Sequence, residues 1–74
     1  MKLNEAIKQI RLELKLSQTA FAKKLHVSFS TVNRWENGRV KPNRLATVTI
    51  ISLAEDSHIN PDLVECIKQS MHSD

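Results

Sequence analysis

The apolar positions of this chain recur at helical spacing and almost nowhere alternate. Leu3, Ile7, Ile10 and Leu14 fall at i, i+4, i+7 and i+11, one stripe of an amphipathic helix over 3–14. Further on, three residues suited to an N-cap each stand between two apolar ones in the same arrangement. Ser17 has Leu16 before it and Phe21 at the fourth helical position; Ser28 has Val27 and Val32; Asn60 has Ile59 and Val64. Each is a hydrophobic staple, in which the residue before the cap packs on the fourth helical residue and fixes the angle at which the chain joins the helix. Pro61 supports the last of them, because a missing N–H costs nothing at the first helical position. None of the three has Glu or Gln at the third helical position, so no capping box reinforces them.

Breakers are few. Glycine occurs once, at Gly38, and proline twice, at Pro42 and Pro61, and no run of alternating Val, Ile and Thr argues for a strand. Asn37-Gly38 should stop the third helix, since glycine takes the left-handed conformation at little cost. A loop, Arg39-Val40-Lys41-Pro42, leads to a fourth helix over about 44–55. With Leu45, Val48, Ile50, Ile51 and Leu53 this is the most apolar stretch, and it is expected to be the buried helix against which the others pack. The fifth helix, about 61–71, carries Leu63, Val64, Ile67 and Met71 on one side. The pattern predicts one compact, all-α, five-helix domain over 1–74, with no repeat and no linker.

At 74 residues a single domain of this size keeps only about 3–5 kcal/mol of net stability unless a partner helps. Net charge is only +3, but its distribution is informative. Residues 1–46 hold ten basic side chains against three acidic ones, a net of +7; residues 47–74 hold Lys68 against five carboxylates, a net of −4. A basic part beside an acidic tail is the asymmetry expected when one surface meets a polyanion.

Several classes drop out. The longest apolar run is far short of the roughly 18 residues a membrane span needs, and the polar start does not resemble a secretory signal. Cys66 has no partner for an internal disulfide and reads as a half-buried packing residue of a reduced, cytoplasmic protein. His26, His58 and His72 have no metal-ligand spacing with Cys66 or a carboxylate, and no Ser/His/Asp arrangement or Gly-rich phosphate loop is present. No metal, cofactor or catalytic residue is therefore expected, and without a sensor domain no small-molecule effector.

The function sits on the second and third helices. Only His26-Val27-Ser28 separates them, a turn short enough to cross the helices steeply, and Ala22 is small enough for the contact. Val32 and Trp35 form the inner side of helix three, which turns Phe29, Ser30, Asn33, Arg34 and Asn37 outward. Arg and Asn are the side chains best matched to guanine and adenine edges in the major groove. Phe29 has two possible places, folded back into the core or offered to a thymine methyl.

The stretch SQTAFAKKLHVSFSTVNRWENGRVKP resembles the phage-repressor/Cro type of helix-turn-helix, the xenobiotic-response-element family. The marks are Ser17-Gln18 opening helix two, Ala22, the Val32 and Trp35 positions, and Trp35-Glu36-Asn37-Gly38 followed by a basic residue. The resemblance covers 3–55 well and helix five loosely. It implies a lambda-repressor-like domain with its helix-turn-helix at about 18–37, within a core of 17–38, and helix three in the major groove of double-stranded DNA. By position it assigns base contacts to Ser28, Phe29, Ser30 and Arg34, and the outward face of helix three adds Asn33. Phosphate contacts fall on Ser17, Gln18, Asn37, Arg39, Lys41 and Arg44, and a structural ion pair on Arg11 and Glu36. One departure is His26 where the family usually has glycine; a left-handed backbone there is tolerated by histidine with some strain.

The expectation is a repressor that occupies a pseudo-palindromic operator as a homodimer, pairing through the 61–71 helix, whose apolar side a chain this short should not be able to hide completely. An antitoxin-type interaction module that binds a basic protein partner through the acidic tail, and also its own promoter, is the alternative.

Overall fold

Local capping and turn geometry account for where four helices begin and four end. The computed structural model describes residues 1–71. Five helices follow one another among them: α1 Leu3–Glu13, α2 Gln18–Leu25, α3 Phe29–Glu36, α4 Arg44–Asp56 and α5 Pro61–Ser70. Each lies within a residue or so of its sequence expectation, and the fold is all-α. Ser17 Oγ accepts from the Ala20 N–H at 3.0 Å, Ser28 Oγ from that of Thr31 at 3.1 Å, and Asn60 Oδ1 from that of Asp62 at 3.0 Å. These bonds satisfy helix-start donors that have no partner within the helix. α4 is capped as well: Asn43 Oδ1 accepts from the Ala46 N–H at 2.8 Å. The staple pattern does not reveal this cap, because Pro42 and Thr47 flank it instead of two aliphatic residues.

Three connections share a second device. Lys15, His26 and His58 have φ near +60°, and the residue after each donates its N–H five residues back. Leu16 bonds to Arg11 O at 3.2 Å, Val27 to Ala22 O at 3.0 Å and Ile59 to Ala54 O at 3.0 Å. These are Schellman endings, which use up the last free carbonyls of a helix. The apolar residue that closes one helix is also the staple residue that opens the next. Leu16 and Val27 lie half-buried against the core and Ile59 is buried, above buried Phe21, Val32 and Val64.

α4 is not the helix against which the others pack. Ala6, Ile7 and Ile10 are fully buried, and α1 packs on both α3 and α5, while α2 packs on α3 and α4, and α4 on α5. This corrects the expectation for the most apolar stretch: α4 buries only Thr47, Ile50 and Ala54, and leaves Leu45 76% and Val48 46% exposed. Its apolar residues are spread around the helix instead of along one stripe, so hydrophobicity exceeds what one contact face can cover. α5 departs from expectation in the opposite sense. Leu63, Val64 and Ile67 are buried in the core, and only Met71, just past the helix end, is half-exposed. Cys66 is half-buried on α5, its Sγ 3.5 Å from the Met1 carbonyl.

Candidate nucleic-acid interface

α2 and α3 are joined through His26, whose φ of 59° and ψ of 40° place it in the left-handed region. Ala22 is buried at the level where the two helices pack, and Val32 and Trp35 anchor α3 from below. That anchoring turns the opposite side of α3 to solvent. Phe29 is 50% exposed, which removes the core alternative for this side chain. Phe29, Ser30, Asn33, Arg34, Asn37 and Arg39 line one shallow concavity, an apolar ring beside two guanidinium groups and two carboxamides. The structure thus brings four of the five expected base-contacting residues together. Ser28, the fifth, is exposed at the helix start, with its hydroxyl engaged by the Thr31 N–H and by Thr31 Oγ1 at 2.8 Å.

Behind this face lies a buried charge pair. Arg11 Nε and Nη2 donate to Glu36 Oε2 and Oε1 at 2.7 and 3.0 Å, and Nη1 donates to Leu16 O at 2.9 Å. Arg11 therefore ties α1 to the end of α3 and to the first connection at once. Hydrogen bonding to Glu36 pushes its pKa further above the ordinary arginine range, against the opposing effect of burial. Among the described residues no buried side-chain nitrogen or oxygen lacks a partner.

The amides next to the pair are also engaged. Gln18 Nε2 donates to Glu36 Oε1 at 3.0 Å, Asn33 Nδ2 to Gln18 Oε1 at 3.3 Å, and Asn37 Nδ2 to Asn33 Oδ1 at 3.0 Å. Separations of 18 and 15 leave no periodic trace in the sequence, and only the Asn33–Asn37 contact, four residues apart, is local. Asn4, which sequence reasoning assigned no role, donates to Glu36 O at 3.3 Å and fixes the start of the next connection.

The α3–α4 loop carries Arg39 and Lys41, with Arg44 opening α4, and all three are exposed. Lys41 lies apart from the α3 concavity, beside a groove that Leu3, Asn4 and Trp35 share with the loop. The ion pairs among the described residues are Arg11–Glu36 and Lys68–Glu55, so Arg34, Arg39, Lys41 and Arg44 keep their charges available. Ser17 caps α2 at the surface, and Gln18 in the first turn beside it is half-buried. No group of three His, Cys, Asp or Glu among the described residues stands together as a metal site, and His72 lies outside them. No helix among them is long and apolar enough to cross a membrane.

Neither the curated proteins nor the solved structures yield a match to this chain. A family model does: residues 7–55, more than half of the chain, match the helix-turn-helix model. The match runs from within α1 through the paired α2 and α3 to the last turn of α4. By that span and by its lambda-repressor-like fold, the chain belongs to the Cro/C1-type helix-turn-helix family of DNA-binding transcriptional regulators.

Proposed function

We propose that this regulator is a repressor that occupies a pseudo-palindromic operator as a homodimer, with α3 in the major groove. The observation that carries the reading is the outward face of α3, where Phe29, Ser30, Asn33 and Arg34 share one concavity beside basic residues that form no ion pair among the described residues. Arg34 offers a forked donor to guanine O6 and N7, and Phe29 an apolar face to a thymine methyl. Ser28, Ser30 and Asn33 complete the base-reading set.

Affinity comes from a different group. Arg39, Lys41 and Arg44, with Asn37, hold phosphates and release condensed counterions. Gln18 joins them through its remaining amide hydrogen, and Ser17 stands at the positive end of α2.

One domain of this size covers roughly 600–1,000 Å² of DNA, so a second copy adds the affinity a single one lacks. Half-sites on one side of a duplex lie about 34 Å apart. A protomer 27 Å by 26 Å across spans most of that distance, which brings neighbours into contact. The surface available to them is the exposed Leu45 and Val48 side of α4, since α5 keeps its apolar side in the core. Occupying an operator in this way blocks transcription without any chemistry. Selection of bound sites from random duplex DNA tests the reading directly: it should return an inverted repeat with half-sites one turn apart. Recovery of unrelated sequences would overturn it.

A further inference from the structure

The hydrogen bonds behind α3 form a line with a direction. It starts at a carboxylate, Glu36, whose two oxygens accept from Arg11 at 2.7 and 3.0 Å. An ionised carboxylate only accepts, so Gln18 must turn its NH₂ toward it, at 3.0 Å. The Gln18 carbonyl then faces away and receives Asn33 Nδ2 at 3.3 Å. That leaves Asn33 Oδ1 to receive Asn37 Nδ2 at 3.0 Å. A carboxamide alone has two nearly equal orientations that exchange donor and acceptor. Here each choice is fixed by the one before it, from a buried charge to the exposed end of α3.

We propose that Glu36 and Gln18 are positioning residues for base recognition: through this relay they hold the carboxamides of Asn33 and Asn37 in one orientation and so set which donors and acceptors the α3 face shows to DNA. Asn33 retains one amide hydrogen and one carbonyl lone pair beyond the relay, the pattern that matches adenine N7 and N6. With the orientation fixed, adenine is favoured at one base pair; with the amide free to turn, that preference falls. The inference rests on the reading of α3 as the base-contacting helix.

Gln18→Met and Gln18→Ala each cut the relay in a half-buried first-turn position and leave the Arg11–Glu36 pair in place. The first measurement uses DNA-free protein. The side-chain amide resonances of Asn33 should move, and the bonded Nδ2 proton should exchange at the rate of an exposed amide. The second measurement is the ratio of affinities for the selected duplex and for duplexes changed at a single base pair. At one position that ratio should fall about fivefold or more, the low end of what a bidentate amide–adenine contact contributes. A ratio is used because loss of a phosphate contact by Gln18 would weaken all duplexes alike and leave it unchanged. Unaltered Asn33 resonances in both variants overturn the relay. Altered resonances with every ratio preserved overturn its part in recognition. A wild-type chain with no base preference overturns the DNA-reading assignment itself, and that failure shows before any substitution is made.

Discussion

The connections α1–α2, α2–α3 and α4–α5 each close on the same three roles in order: a left-handed residue, a core-facing aliphatic one, and a cap. Lys15-Leu16-Ser17, His26-Val27-Ser28 and His58-Ile59-Asn60 are the three instances. The connection from Asn37 to Asn43 begins in the same way, with Gly38 at φ 74° and the Arg39 N–H bonded to Arg34 O at 3.0 Å. The residue that should then enter the core is Arg39, exposed and cationic, and the chain runs on through Val40, Lys41 and Pro42 before the next cap. In the tight connections, the aliphatic residue and the cap fix the helix directions, and the chain turns within three residues. The long one gives up that packing and exposes two cations, Arg39 in the α3 concavity and Lys41 apart from it. Tight packing and the loop cations assigned to phosphates are thus kept in separate connections, and the contrast can be tested from both sides.

Arg11→Ala should have the largest effect, because Arg11 braces Leu16 of one connection and Glu36 at the mouth of the other. It would strand a buried carboxylate, a loss of about 3–5 kcal/mol. Set against the small total expected for a domain this size, circular dichroism should show little folded protein at 25 °C. A cooperative melt close to that of wild type would mean the pair is dispensable.

Next comes a matched pair. Ile59→Ala removes a buried, doubly used aliphatic residue and should lower stability by about 2–4 kcal/mol. Val40→Ala, at a side chain 48% exposed in the long loop, should stay within about 0.5 kcal/mol of wild type. Urea melts of the two variants decide it; equal losses would erase the distinction between the connections.

Lys41→Ala addresses the other half of the contrast. The fold should be untouched, while affinity falls about equally for every duplex and the slope of log K against log salt flattens by roughly one unit. A loss confined to the operator would move Lys41 from the phosphates to the bases.

The smallest effect is a gain. His26→Gly relieves a left-handed histidine and should raise the melting temperature by a few degrees, roughly 0.5–1 kcal/mol for a domain this small. Gly38→Ala should do the reverse. Its added Cβ would meet only Asn4 atoms at 3.7 Å, so the penalty is one of backbone conformation and not of space.

What could be seen in the sequence follows the same division. The caps and staples at Ser17, Ser28 and Asn60 are local, involving residues within five positions of one another, and each appears in the structure. The phase of α3 was legible because Val32 and Trp35 are its only large aliphatic or indole side chains past the first turn. The place of α4 was not, since its composition records how apolar a helix is but not in which direction. Leu45 and Val48 count as much as Ile50 in such a reading, yet face solvent. The left-handed turns at Lys15 and His58 left no glycine to mark them. The amide relay was hidden for a related reason: it joins α2 to α3 across the fold, where only three-dimensional proximity pairs the residues.

The double use of Leu16, Val27 and Ile59 bears on how the molecule comes apart. A residue that ends one helix and begins another cannot leave its site without opening both. Fraying at these junctions is therefore penalised twice, and α1 with α2, α2 with α3, and α4 with α5 should open in concert. Amide protons flanking the three junctions should exchange with solvent at a common free energy, that of global unfolding, while those of Val40 and Lys41 exchange through small local openings. A domain built this way should have few partially open forms between folded and unfolded, with local opening among the described residues expected first in the segment that would lie along the phosphates.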